Sequence, residues 1–111
     1  QVATLGFPRI GPKRELKTAL EAHWAGKMGV ESLLSAAADL RARTWARQRK
    51  LGAEITPSND FSLYDHVLDL TAMVGAVPAA YGWSGDRVDL ATYFAMARGS
   101  RGAVSSAPAP L

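Results

Sequence analysis

The sequence contains no cysteine and only two histidines, His23 and His66. The first absence excludes disulfides, thiolate metal ligands and a cysteine nucleophile, and the second leaves little material for an imidazole metal site. No structural zinc and no metal ligand set is therefore expected in this chain. Long apolar runs are missing too: nothing approaches the roughly eighteen consecutive apolar residues that span a bilayer. The opening Gln1-Val2-Ala3-Thr4-Leu5 lacks the basic and apolar regions of a signal peptide. A cytoplasmic protein with no membrane partner is the expectation. Nor is there a strong charge of one sign, since 13 basic against 10 acidic residues leave a net +3. So small an excess suits an anionic ligand or nucleic acid equally well.

What is present is ordinary globular material, 48% hydrophobic and 21% charged, which argues against a disordered chain. A length of 111 residues allows one domain or part of a larger one. Val2-Ala3-Thr4-Leu5-Gly6-Phe7 is rich in β-formers and closed by Pro8, so it reads as a strand running into a loop, Pro8 to Gly11. Pro12 suits the first turn of a helix on which Leu16, Ala19, Leu20, His23 and Trp24 share a face, with Gly26 closing it. A second helix is expected from about Val30 to Leu51, its stripe being Leu33, Leu34, Ala37, Leu40, Thr44 and Trp45 and its stop Gly52.

Ala53 to Thr56 reads as a brief second strand before Pro57 and the turn-forming Ser58-Asn59-Asp60. Ser62 with Asp65 forms a plausible capping box for a third helix carrying Leu63, Val67, Leu70, Thr71 and Val74. Asp89 can cap a fourth, with Leu90, Tyr93, Phe94 and Ala97 inward and Gly99 as its end. The predicted order is βααβαα, an α/β class rich in helix, with residues 100–111 a flexible Ala/Ser/Pro tail or loop. Strands separated by helices imply parallel pairing, yet two strands cannot build a sheet covered on both faces. A fragment of a larger sheet is the inference, with self-association as one way to shield its edge.

Charge is concentrated in two places. Arg41, Arg43, Arg47, Arg49 and Lys50 lie toward a helix end, where cations complement the negative pole of the dipole. Arg9, Lys13, Arg14 and Lys17 surround a helix start, where backbone N–H groups and the positive pole attract anions. A ligand with several carboxylates or phosphates fits such a place. Charge pattern alone favours the plainer reading, solvated surface cations with Glu15 pairing locally to a lysine.

Asp60, Asp65, His66 and Asp69 invite a metal reading, but a turn residue, a cap and one histidine without a second ligand at metal spacing make a poor donor set. His23 sits among apolar residues and reads as a packed, hydrogen-bonded side chain. Trp24, Trp45, Tyr64, Tyr93 and Phe94 fall at core-facing positions and not as a platform for stacking bases, so nucleic acid is not the expected partner. Trp83, between Gly82 and Gly85, is free to cover an edge.

Gly6-Phe7-Pro8-Arg9-Ile10-Gly11 followed by Arg14-Glu15-Leu16-Lys17 resembles the opening of cobalamin-independent methionine synthases. The likeness continues in His23-Trp24-Ala25-Gly26-Lys27, in Leu40-Arg41 with Trp45, in Pro57-Ser58-Asn59-Asp60-Phe61 with Tyr64-Asp65-His66-Val67-Leu68-Asp69, and in Tyr93-Phe94-Ala95-Met96-Ala97-Arg98-Gly99. These blocks keep their order across residues 5–99.

The resemblance implies two (βα)8 TIM barrels. Residues 1–99 would start the first of them, as a partial barrel. It implies methyl transfer from 5-methyltetrahydrofolate polyglutamate to homocysteine, without cobalamin, on a zinc site whose ligands lie in the other barrel. It assigns folate-tail binding to Arg14, Glu15, Leu16 and Lys17, and no catalytic residue to this chain. The family pattern continues into a Met-Thr-Lys-Trp-Phe-Asp segment with a further folate contact, so the site here is expected to be incomplete and the chain alone inactive. A small basic interaction module, binding nucleic acid or protein through its arginine-rich helix, is the competing class.

Overall fold

The computed structural model describes residues 1–99; the tail expected over residues 100–111 lies outside them. The chain divides into two compact units, Gln1–Leu63 and Tyr64–Leu111.

In the first unit, helix α1 spans Glu15–Trp24 and helix α2 spans Val30–Lys50. Helix α1 starts later than Pro12 because Arg14 adopts a left-handed conformation, φ 58°. Its N–H donates to the Gly11 carbonyl at 3.1 Å and closes a turn. An α-helix cannot run back through a left-handed residue, a geometry that costs an L-residue about 1–2 kcal/mol. Leu16, Ala19 and Leu20 of α1 and Leu33, Ala37 and Leu40 of α2 are buried where the two helices pack together. Each such leucine contributes roughly 1.5–3 kcal/mol by burial. Half-buried His23 places Nδ1 2.9 Å from the Met28 carbonyl oxygen. A carbonyl only accepts, so Nδ1 is the protonated ring nitrogen.

The stripe of α2 differs at two positions from the expected one. Leu34 is 47% exposed, and Gln48 is buried instead. The amide is tolerated inside because it is engaged on both sides: it accepts from the Thr4 hydroxyl and donates to the Thr44 carbonyl. Helix α2 then stops at Gly52, φ 97°, the left-handed end anticipated for it.

The two expected strands do not form among the described residues. Val2–Phe7 and Ala53–Thr56 meet in a single parallel bridge, Ala3 to Ile55. The Val2 carbonyl accepts the N–H groups of Glu54 at 2.9 Å and Ile55 at 3.2 Å. The pairing direction is the expected one. Its extent is small because parallel pairs need neighbours and covered faces, whereas Val2, Leu5 and Ile55 are exposed here.

The segment after Thr56 is pinned within the same unit. Trp45 Nε1 donates to the Pro57 carbonyl at 3.1 Å, and Arg9 Nη1 donates to the Leu63 carbonyl at 3.0 Å. The Arg41 guanidinium lies over the rings of Trp45 and Phe61. Asp60 Oδ2 accepts the Phe7 N–H at 3.2 Å. Gly6, φ 100°, makes room for it, since a β-carbon there would sit 2.3 Å from that oxygen.

The second unit holds helix α3 (His66–Met73), a 3-10 turn (Ala79–Tyr81) and helix α4 (Leu90–Arg98). The capping box expected from Ser62 is replaced by a simpler device. Asp65 is itself the cap, its carboxylate accepting the N–H groups of Val67 and Leu68 at 2.9 and 3.3 Å, while Ser62 is buried. Two N–H groups satisfied by one side chain leave nothing for Ser62 to cap. The buried residue of α3 is Leu68, and the expected stripe of Val67, Leu70 and Val74 faces outward. Helix α4 has its expected cap, Asp89 accepting the Thr92 N–H at 2.8 Å; of its expected face Tyr93 and Phe94 are buried, Leu90 and Ala97 are half-buried, and Met96 is buried as well. The Tyr93 hydroxyl donates to Asp69 Oδ1 at 2.6 Å and accepts the Tyr64 N–H at 3.1 Å, tying α4 to α3 and to the segment before it. Trp83 covers Gly75, where a β-carbon would meet its ring at 3.0 Å.

Candidate anion-binding site

The four residues singled out at the start of α1 have different environments. Leu16 is buried in the core, and its N–H donates to the Ile10 carbonyl at 3.0 Å, anchoring the loop before the helix. Glu15 folds back over Gly11. Its carboxylate accepts the Lys13 N–H and lies 3.5 Å from Arg43 Nη2. Gly11, φ 88°, permits this, because a β-carbon there would crowd the carboxylate at 3.0 Å. Arg14 and Lys17 are both exposed, Lys17 in the first turn of α1 and Arg14, left-handed, immediately before it. Lys17 Nζ is 3.8 Å from Glu21, a pair too exposed to hold the lysine firmly.

The helix start therefore differs in one respect from the unpaired donor cluster that its position implies. The N–H groups of Lys13, Arg14 and Leu16 are already given to Glu15, Gly11 and Ile10. Beside the remaining backbone donors, the site offers an incoming anion the side-chain charge of Arg14 and Lys17, with Lys13 exposed nearby.

Next to these residues lies a pocket of about 600 Å³. Phe7, Pro8, Ile10 and Leu40 supply its apolar wall, and Glu15, Arg43 and Arg47 its charges. Sequence reasoning assigned the two arginines to the helix end as complements of the dipole. Their spacing of four, with Leu40 one turn earlier, did mark a common face of α2. What that face looks onto depends on how the Pro8–Gly11 loop folds, which periodicity does not reveal.

Asp60, Asp65 and Asp69 each have a protein partner: the Phe7 N–H, the start of α3 and the Tyr93 hydroxyl. Among the described residues no group of three His, Cys, Asp or Glu side chains converges. The zinc implied by the resemblance would therefore need ligands other than such a group among the described residues. No described helix is long and apolar enough to cross a membrane.

The helix start with its exposed cations and the pocket beside it lie in a helix-rich chain. Residues 1–109 match the model of the cobalamin-independent synthase N-terminal domain, and the chain belongs to that family. Among individual proteins it is 73% identical, over 101 residues, to the 5-methyltetrahydropteroyltriglutamate–homocysteine methyltransferase of Caulobacter vibrioides, covering 91% of this chain and 13% of that protein. The enzyme of the same name from Nitrobacter winogradskyi is 64% identical over 101 residues, covering 91% and 13%. That from Rhodopseudomonas palustris is 62% identical over 104 residues, covering 94% and 13%. The chain thus spans about one-eighth of the length of these curated relatives.

Proposed function

We propose that this chain is the N-terminal part of a methyltransferase that moves a methyl group from 5-methyltetrahydropteroyltriglutamate to homocysteine, forming methionine in the cytoplasm. Its own share of that activity is to bind the polyglutamate tail and to begin the first (βα)8 barrel with residues 1–99. Zinc, the homocysteine site and the methyl transfer itself belong to parts of the enzyme beyond these residues. The observation that carries the reading is the pair of exposed cations, Arg14 and Lys17, three residues apart in sequence at the start of α1. Each offers a charge-assisted hydrogen bond to a tail carboxylate, Arg14 as a planar fork and Lys17 as a point charge. Leu16 and Glu15 serve the same site from beneath. One fixes the helix to the core, and the other holds the turn before it.

Isothermal titration of the chain with the triglutamate and, separately, with a short DNA duplex tests this. The triglutamate is expected to bind, more weakly at high salt. Lys17→Ala is expected to weaken it about fivefold, the equivalent of ~1 kcal/mol. Binding of the duplex alone, with no effect of Lys17→Ala, would favour the basic interaction module instead.

A further inference from the structure

We infer that the pocket beside the helix start is a second anion subsite. In it Arg43 and Arg47 take a distal carboxylate of the tail, while half-buried Phe7 and Ile10 carry the methylenes between carboxylates. This rests on the tail-binding reading and deepens it. A γ-linked glutamyl chain presents one free carboxylate per unit, separated by short apolar spacers. A surface that fits it must alternate cations with apolar contact, as this one does. The exposed pair on α1 offers charge without an apolar floor, whereas the pocket has a floor and places two guanidinium groups one turn apart on its edge.

Glu15 opens the helix directly after Arg14, and its carboxylate lines the pocket within 3.5 Å of Arg43. The contact is long, and the Arg43 side chain is 65% exposed, so the pair is weak. Among the described residues Arg47 has no acidic partner within ion-pair distance. A ligand carboxylate entering the pocket meets one unengaged arginine and a second that exchanges Glu15 for it, gaining a fork-shaped contact that the present geometry lacks. The subsite therefore counts glutamates: a tail with one unit reaches Arg14 and Lys17, and a longer tail engages the pocket as well.

The test is titration of the chain with 5-methyltetrahydropteroyl ligands carrying three glutamates or one, using wild type, Arg47→Gln, the Arg43→Gln/Arg47→Gln double variant and Lys17→Ala. Circular dichroism reports whether each variant keeps its helix content. The double variant is expected to bind the triglutamate about tenfold more weakly and the monoglutamate within about twofold of wild type. Arg47→Gln alone gives a smaller loss of the same kind, and Arg47→Lys restores part of it. Arg47→Gln carries the test should the double variant lose helix. If Lys17→Ala weakens the triglutamate but the arginine variants do not, the pocket is no subsite and the tail-binding reading stands. An equal loss for both ligands also overturns the inference, because the arginines would then act through general charge. If wild type binds neither ligand, both readings fall.

Discussion

Asp89 shows how much one side chain at a helix start can do. Its carboxylate accepts the Thr92 N–H at 2.8 Å, and the backbone and side-chain hydrogen bonds from Thr92 hold its pKa below the ordinary carboxylate value. A carboxylate whose pKa is lower folded than unfolded stabilises the fold fully above its unfolded value, near 4, and loses that contribution as pH falls through the lowered folded value. Asp89→Ala is therefore expected to cost about 1 kcal/mol at pH 7. The difference from wild type should shrink in urea melts carried below about pH 3. A difference that stays constant across that range would mean that the cost comes from helix propensity and not from the ionised cap. The cap was legible in the sequence because an Asp before an apolar helical run is a local signal. Arg14 was not: nothing in its residue type announces a left-handed arginine, and Pro12 gave a false start to the helix three residues early.

Among the elements, the long helix was the most legible. Its period, its glycine stop and most of its buried face are local properties, and α2 runs Val30–Lys50 as its pattern implies. The strands were legible only as a pairing direction, since ladder length depends on neighbours that a sequence window does not contain. Helix α3 was legible in place but not in facing, for a similar reason. Val67, Leu70 and Val74 have the spacing of a buried stripe, yet Leu68 is the residue that finds cover. What holds α3 to α4 was not visible at all: the Tyr93 hydroxyl, read from its position as plain packing, links Asp69 and the Tyr64 N–H. Tyr93→Phe keeps the ring and its T-shaped contact with Phe94, centroids 5.4 Å apart, but leaves an acceptor and a donor unmatched. The expected cost is about 1–2 kcal/mol, seen as a fall in melting temperature of several degrees. A melting temperature equal to wild type would show that water replaces the hydroxyl on both sides.

On the scale of the molecule, the outstanding feature is apolar surface without cover. Leu5 is 99% exposed, Met73 76% and Val67 74%, and Leu51, Leu70 and Val74 are exposed as well. Single exposed hydrophobics are ordinary, but on α3 they fall at 67, 70, 73 and 74 and make one continuous face. Relatives about seven times as long have further chain with which to cover such a face; the 111-residue polypeptide in isolation has other copies of itself. Weak self-association through α3 is therefore proposed. Sedimentation velocity over a roughly hundredfold concentration range should show the sedimentation coefficient rising with concentration, because association follows mass action. Val67→Lys with Met73→Lys places two charges on the patch at exposed positions, where substitutions disturb folding little. The double variant should keep its helix content and sediment as a monomer throughout. A wild-type chain that is already monomeric at the highest concentration would mean that the face is too small or too curved to pair with itself. A concentration dependence unchanged in the double variant would move the contact to the first unit, where Leu5 and Leu51 are exposed.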